Sequence, residues 1–164
     1  MPHPLVTQLW FARSEFMRCL EGVTPEEAKQ RITPMNSLSW IVGHMAGHEH
    51  LLWVIVAQNQ KIDSDLFKQT GYGQPACTPD WTEALKVWQE VTLKADIYLE
   101  SLTNEALNTF FEWKGKKDTE NVGINILRNT YHYWFHMGEA HSIRQMLGHK
   151  DLPQFVGDMS SVKV

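Results

Sequence analysis

DWTEALKVWQEVTLKADIYLESL, residues 80–102, is the stretch that decides the fold. Trp81, Leu85, Trp88, Val91, Ala95, Tyr98 and Leu102 recur at steps of three and four, the spacing of one face of an α-helix, and Asp80 stands where an N-cap is needed. A stripe of that length must be buried against other elements. Upstream, Leu5, Leu9, Ala12, Phe16 and Cys19 keep the same rhythm and predict a first helix ending near Glu21-Gly22, with Cys19 as a buried small hydrophobe. Thr24-Pro25-Glu26-Glu27 predicts a short capped connector that stops before Pro34. A second long helix is expected from Asn36, Ser37 or Ser39 to about Asn59, with Ile41, Met45, Leu52 and Ile55 on its apolar stripe. Downstream, Phe110 to Asp118 predicts a short extended piece with a turn, and residues 121–147 a last helix of about 40 Å, stopped by Gly148. Tyr131, Tyr133, Trp134, Phe135 and Met137 make the middle of that helix apolar almost all round, so more than one of its sides should be covered.

Four long amphipathic helices with almost no strand signal predict an all-α fold, a four-helix bundle, in one domain spanning residues 1–164. Between the second and third long helices, residues 60–79 lose the period and carry Gly71, Gly73, Pro75 and Pro79. This long crossover connection either crosses an end of the bundle or covers a pocket as a lid.

Composition narrows the functional classes. A formal net charge of -4 gives no electrostatic footprint for nucleic acid, so no DNA or RNA partner is expected. The longest apolar run, Leu51 to Ala57, is far short of the roughly 20 residues a membrane span needs. Met1-Pro-His-Pro-Leu5 does not read as a secretory signal, and Cys19 and Cys77 form no paired motif, so a reducing cytoplasm is the default expectation. Seven tryptophans offer much apolar area to bury or to share with another subunit.

The chemistry lies in Thr130-Tyr-His-Tyr-Trp-Phe-His-Met-Gly-Glu139. His132 and His136 project from one helix face about one turn apart, a spacing that suits two ligands of one metal ion. His44, on the second long helix, can supply a third imidazole and leave a fourth position open for water or substrate. Several imidazoles buried in a small bundle cost stability unless each ring nitrogen is satisfied, and one shared cation does that for all of them. His48, four residues beyond His44, is either a fourth ligand or a group positioning the ligands, the second being preferred. Glu139 shares the ligand face and can be a carboxylate ligand, an orienting partner or a general base, or a solvated helix glutamate. Glu49 is turned away from His44 and reads as a surface or interhelical partner; His141 lies off the ligand face, and His3, His50 and His149 are expected to be exposed. The chain has no His-Glu-x-x-His and no Glu-x-x-His, which excludes a zincin protease and disfavours a di-iron carboxylate bundle.

Ser39-Trp40-Ile-Val-Gly-His44 and His132-x-x-x-His136-x-Gly138-Glu139, followed by Ile143-Arg144-x-x-x-Gly148, resemble the DinB-like family of metal-binding four-helix bundles over essentially the whole chain. The resemblance implies a three-histidine site at His44, His132 and His136, a divalent ion such as zinc or nickel, and a homodimer. Members similar to this chain include S-transferases dependent on a low-molecular-weight thiol. Where the family often has Gly-Gln after the histidine pair, this chain has Gly138-Glu139, which adds charge beside the site. The expected function is a metal-dependent enzyme that activates a thiol or water toward a small-molecule substrate, thiol transfer being preferred, with Trp40 and Trp134 as pocket walls or core packing. The alternatives are a non-catalytic metal-binding bundle with a structural or partner-binding role, and histidines that merely pack.

Overall fold

The computed structural model of the protein describes residues 1–160 and Val162. Each predicted long helix forms, and each starts on a side chain that satisfies otherwise orphaned N–H groups. Helix α1 (Pro4–Leu20) begins under the His3 ring, whose Nδ1 accepts from Leu5 N at 3.1 Å. Thr24 caps the connector α2 (Pro25–Lys29) in a reciprocal box with Glu27. Ser37 caps α3 (Leu38–Glu49), which runs directly into a π-helical segment, His50–Val56. The crossover contains a short helix, α4 (Leu66–Gln69). Asp80 caps α5 (Trp81–Leu99) as the sequence predicts, accepting from Glu83 N at 3.0 Å. A short α6 (Asn104–Leu107), strands β1 (Phe110–Trp113) and β2 (Lys116–Asn121), and α7 (Val122–Met146) complete the chain.

The protein is mostly helical, with α1 lying along α7, α3 along α5, and α3 also touching α7. It is not wholly so: the all-α expectation is corrected by an antiparallel hairpin in which β1 pairs with β2. Lys114 and Gly115, both at positive φ, form its two-residue turn, the geometry that matches strand twist. The hairpin stays attached because Phe111 packs near Trp53 and Tyr98, with ring centroids 6.1 Å from each. β2 extends past Asp118 to Asn121, whose side chain then caps α7 by accepting from Ile124 N at 2.8 Å.

A second correction lies in the second long helix. Ile41 and Met45 are fully buried as expected, but Leu52 and Ile55 are only partly so, and Trp53 and Val54 are buried in their place. The i→i+5 bonding of the π segment widens the turn and slips the apolar face by about one residue.

Glu49 is an interhelical partner and lies in the core, fully buried. Its Oε1 accepts from Arg13 Nε of α1 at 2.7 Å and from the Tyr133 hydroxyl of α7 at 2.6 Å, while Oε2 pairs with Arg13 Nη2. The Tyr133 oxygen accepts in turn from Trp88 Nε1 of α5 at 2.8 Å, and Arg13 Nη1 reaches Asp96. Burial opposes the Arg13 charge most strongly, yet Glu49, Tyr133 and Asp96 together outweigh it and hold the guanidinium protonated. One polar network thus crosses all four long helices.

Three histidines expected at the surface are used structurally. His50 is buried, stacks on Phe67 at 4.2 Å and accepts from Ile62 N at 3.0 Å, which pins the start of the crossover. His149 joins Arg144 Nε at 2.9 Å to Glu27 at 3.1 Å, tying the end of α7 to α2, and His3 is the half-buried cap of α1. Cys19 is buried as predicted. Among the described residues no helix is long and apolar enough to cross a membrane.

Candidate metal centre

Two elements build the site. α3 carries His44 and His48 and α7 carries His132 and His136, each pair one helical turn apart, and the contact between α3 and α7 turns the pairs toward one another. His44, His132 and His136 each offer one ring nitrogen, and the three atoms lie within 4.8 Å of one another. His132 Nε2 is 3.2 Å from His44 Nε2 and 3.0 Å from His136 Nε2. Nitrogen ligands 2.0–2.1 Å from a tetrahedral ion stand about 3.3 Å apart, so the spacing fits a shared cation.

The outer nitrogens determine what the inner ones can do. His44 Nδ1 lies 3.0 Å from the Thr70 carbonyl, which only accepts, so Nδ1 carries the proton and Nε2 a lone pair. His136 Nδ1 donates in the same way to the Glu139 carboxylate at 2.9 Å, which leaves its Nε2 a lone pair too. His132 therefore faces two lone pairs at once. A proton on its Nε2 can serve only one of them, and a proton on its Nδ1 goes unused, because that atom is buried without a partner among the described residues. No tautomer gives each of the three Nε2 atoms a partner, whereas one cation does.

Burial favours the neutral form of His44, His48 and His132, the form that ligates metal. It pushes His132 down to about 3, helped by His48, His136 and His44, and His48 down to about 4, helped by His44, Arg128 and His136. Burial also lowers His44, against the pull of the Thr70 carbonyl.

Each candidate residue has a definite place. Glu139 sits against His136 Nδ1, outside the triangle of Nε2 atoms. His48 is beside the triangle, its ring 4.5 Å from that of His132, and its buried Nδ1 lacks a partner among the described residues. His141 is remote, edge-on to Phe155. Trp40 stacks on His44 at 4.8 Å and fixes that ring's plane, and Trp134 lines a different cleft beside Phe155, so neither walls the cavity at the histidines.

That cavity is a cleft of about 640 Å³ whose floor is His44, His48 and His132. One wall comes from α7, with Ile124, Leu127, Arg128, Tyr131 and Phe135, and the other from Tyr72 of the crossover. The wall residues of α7 precede or follow His132 by one, three, four, five and eight positions, so helical spacing could have found them. Nothing in the sequence marks Thr70, whose contribution is a backbone carbonyl.

A family model described as the DinB superfamily matches residues 8–140, which include all three clustered histidines and Glu139. No curated protein matches the chain.

Proposed function

The chain belongs to the DinB superfamily, and from that premise we propose that His44, His132 and His136 hold one divalent metal ion at the floor of an open substrate cleft. The observation that carries the proposal is the convergence of three Nε2 atoms whose protonation no tautomer reconciles. Such an ion supplies Lewis acidity, lowering the pKa of a thiol or water so that it is nucleophilic near neutral pH. The protein's own groups set the ligand geometry: Thr70 and Glu139 fix ring orientation, Trp40 holds His44 by stacking, and the His48 ring packs 4.5 Å from that of His132. Thiol-dependent S-transfer is the preferred reaction, zinc or nickel the preferred ion, and a low-molecular-weight thiol the co-substrate. The cleft favours an enzyme over a closed structural site, because it opens onto the histidines and is walled by apolar groups. Within the same proposal the chain is a single four-helix-bundle domain acting as a cytoplasmic homodimer.

Metal content decides the matter. Wild-type protein and a His132→Ala/His136→Ala variant, both untagged, are loaded with zinc or nickel, dialysed and measured by inductively coupled plasma mass spectrometry. About one ion per chain is expected in the wild type and none in the variant. A wild type that takes up neither metal removes the proposal.

A further inference from the structure

From Arg128 we infer the substrate class: the cleft takes a small molecule with an apolar body and a carboxylate, which Arg128 grips while the reacting group lies at the histidines. The inference rests on the proposed function for what the carboxylate positions, though not for whether it binds.

Among the described residues lining the cleft, Arg128 is the one with a permanent charge; the others are imidazoles, tyrosines and hydrocarbon. It stands one helical turn before His132, so its guanidinium and the clustered nitrogens rise from the same face of α7. The group is held in place. Its Nε donates to Glu120 Oε2 at 2.6 Å and its Nη2 to Glu120 Oε1, a two-point clamp from the strand that leads into α7. Asp118 adds negative charge behind it and is itself bound by Asn125 Nδ2 at 3.1 Å.

A guanidinium has two edges, and Glu120 takes only one. Nη1, on the other edge, forms no hydrogen bond among the described residues, and the side chain keeps 58% of its exposure. A planar fork held by one carboxylate and presenting its second edge to solvent suits a second carboxylate, bound in the same two-point manner. The rest of the ligand must be apolar, because Ile124, Leu127, Tyr131 and Phe135 form the wall beside the fork and Tyr72 stands across from them. Phe135 and Tyr131 are 71% and 64% exposed, an unusual cost for aromatics that no described residue covers. The same carboxylate can belong to the electrophile or to the thiol.

The test is isothermal titration calorimetry on zinc-loaded and chelator-stripped full-length protein. Hydrocinnamate is compared with hydrocinnamide, an electrophile-like pair without sulfur, and mercaptopropionate with mercaptopropionamide, a thiol pair. Wild type is expected to bind the acid of at least one pair about tenfold more tightly than its amide. Arg128→Gln should abolish that preference and Arg128→Lys should retain part of it, with circular dichroism showing both folded. Preference within the hydrocinnamate pair assigns the carboxylate to the electrophile, and preference within the mercaptopropionate pair assigns it to the thiol. Hydrocinnamate preference that survives in stripped protein supports Arg128 even if the metal reading fails. Preference that requires zinc and ignores Arg128 reports carboxylate on the metal and overturns the inference, as does equal binding of acid and amide or no binding of any probe.

Discussion

Replacing Glu49 by Gln keeps the shape of the side chain and removes its charge from a site that water does not reach. Three donors converge on Glu49: Arg13 Nε, Arg13 Nη2 and the Tyr133 hydroxyl. A glutamine has one acceptor oxygen, so at least one Arg13 N–H would meet an amide N–H, and the buried guanidinium would retain only Asp96, a partly exposed partner. Removing one member of a buried ion pair costs about 3–5 kcal/mol. For a chain of this length that corresponds to a loss of roughly 6–20 °C in Tm. The assay is urea unfolding in excess chelator, followed by tryptophan fluorescence and circular dichroism together to establish a two-state transition. The partner change Arg13→Met, alone and combined with Glu49→Gln, completes a cycle. The double variant should be less destabilised than the sum of the singles, because neither charge is then left alone. A Glu49→Gln cost below about 1 kcal/mol, the ordinary value of one exposed pair, or strict additivity in the cycle, would refute the reading that Glu49 and Arg13 depend on each other's buried charge.

Acid should destabilise the metal-free protein well above the carboxylate range. His48 and His132 titrate below the usual histidine value when folded, so the unfolded chain binds more protons as pH falls below about 6.5; stability is complete above that pH and declines through about 4 for His48 and about 3 for His132, with His48 contributing at most about 3 kcal/mol. Urea midpoints that stay flat between neutrality and pH 5 would contradict this. Glu139→Ala frees the His136 ring and is expected to weaken zinc binding about 10–100-fold in chelator competition, with little change in metal-free stability; unchanged affinity would leave Glu139 as an ordinary helix residue. Gly43→Ala places a methyl 2.8 Å from Thr70 Cγ2 and 2.9 Å from Leu66 Cδ1, both residues buried, and should cost about 1–3 kcal/mol of folding stability in the same urea assay.

How far the sequence could be read depended on what each residue's partner was. Trp81 to Leu102 announced α5 because a solvent-to-core helix repeats its burial every three or four residues, and His132 and His136 announced the site because four residues return a side chain to the same face. The step from Ile55 to Trp53 and Val54 was illegible, since a run of i→i+5 bonds changes the period without changing the composition. Glu49 was correctly turned off the His44 face, but a helical wheel says nothing of what stands opposite, and here that is Arg13 from a helix 36 residues away. His50 likewise looked like a surface residue beside Glu49 and became a buried acceptor only because the crossover folds back over it. The hairpin was half visible: Phe110 to Asp118 read as an extended piece with a turn, while the polar Lys116–Asn121 strand carries no alternation that would reveal its full length.

The bond from His44 to Thr70 makes the crossover a party to whatever happens at the histidines. Thr70 ends α4, its hydroxyl donates to Leu66 O at 2.9 Å, and Tyr72 begins two residues later at the lip of the cleft. Ring orientation at His44 and order in residues 66–72 are therefore one equilibrium viewed from two ends. Thermodynamic reciprocity requires that if a settled crossover sharpens the affinity for an ion, the ion sharpens the settling of the crossover by the same factor. Protection of the Thr70 amide from hydrogen exchange becomes a reporter of occupancy at a site that the amide never touches.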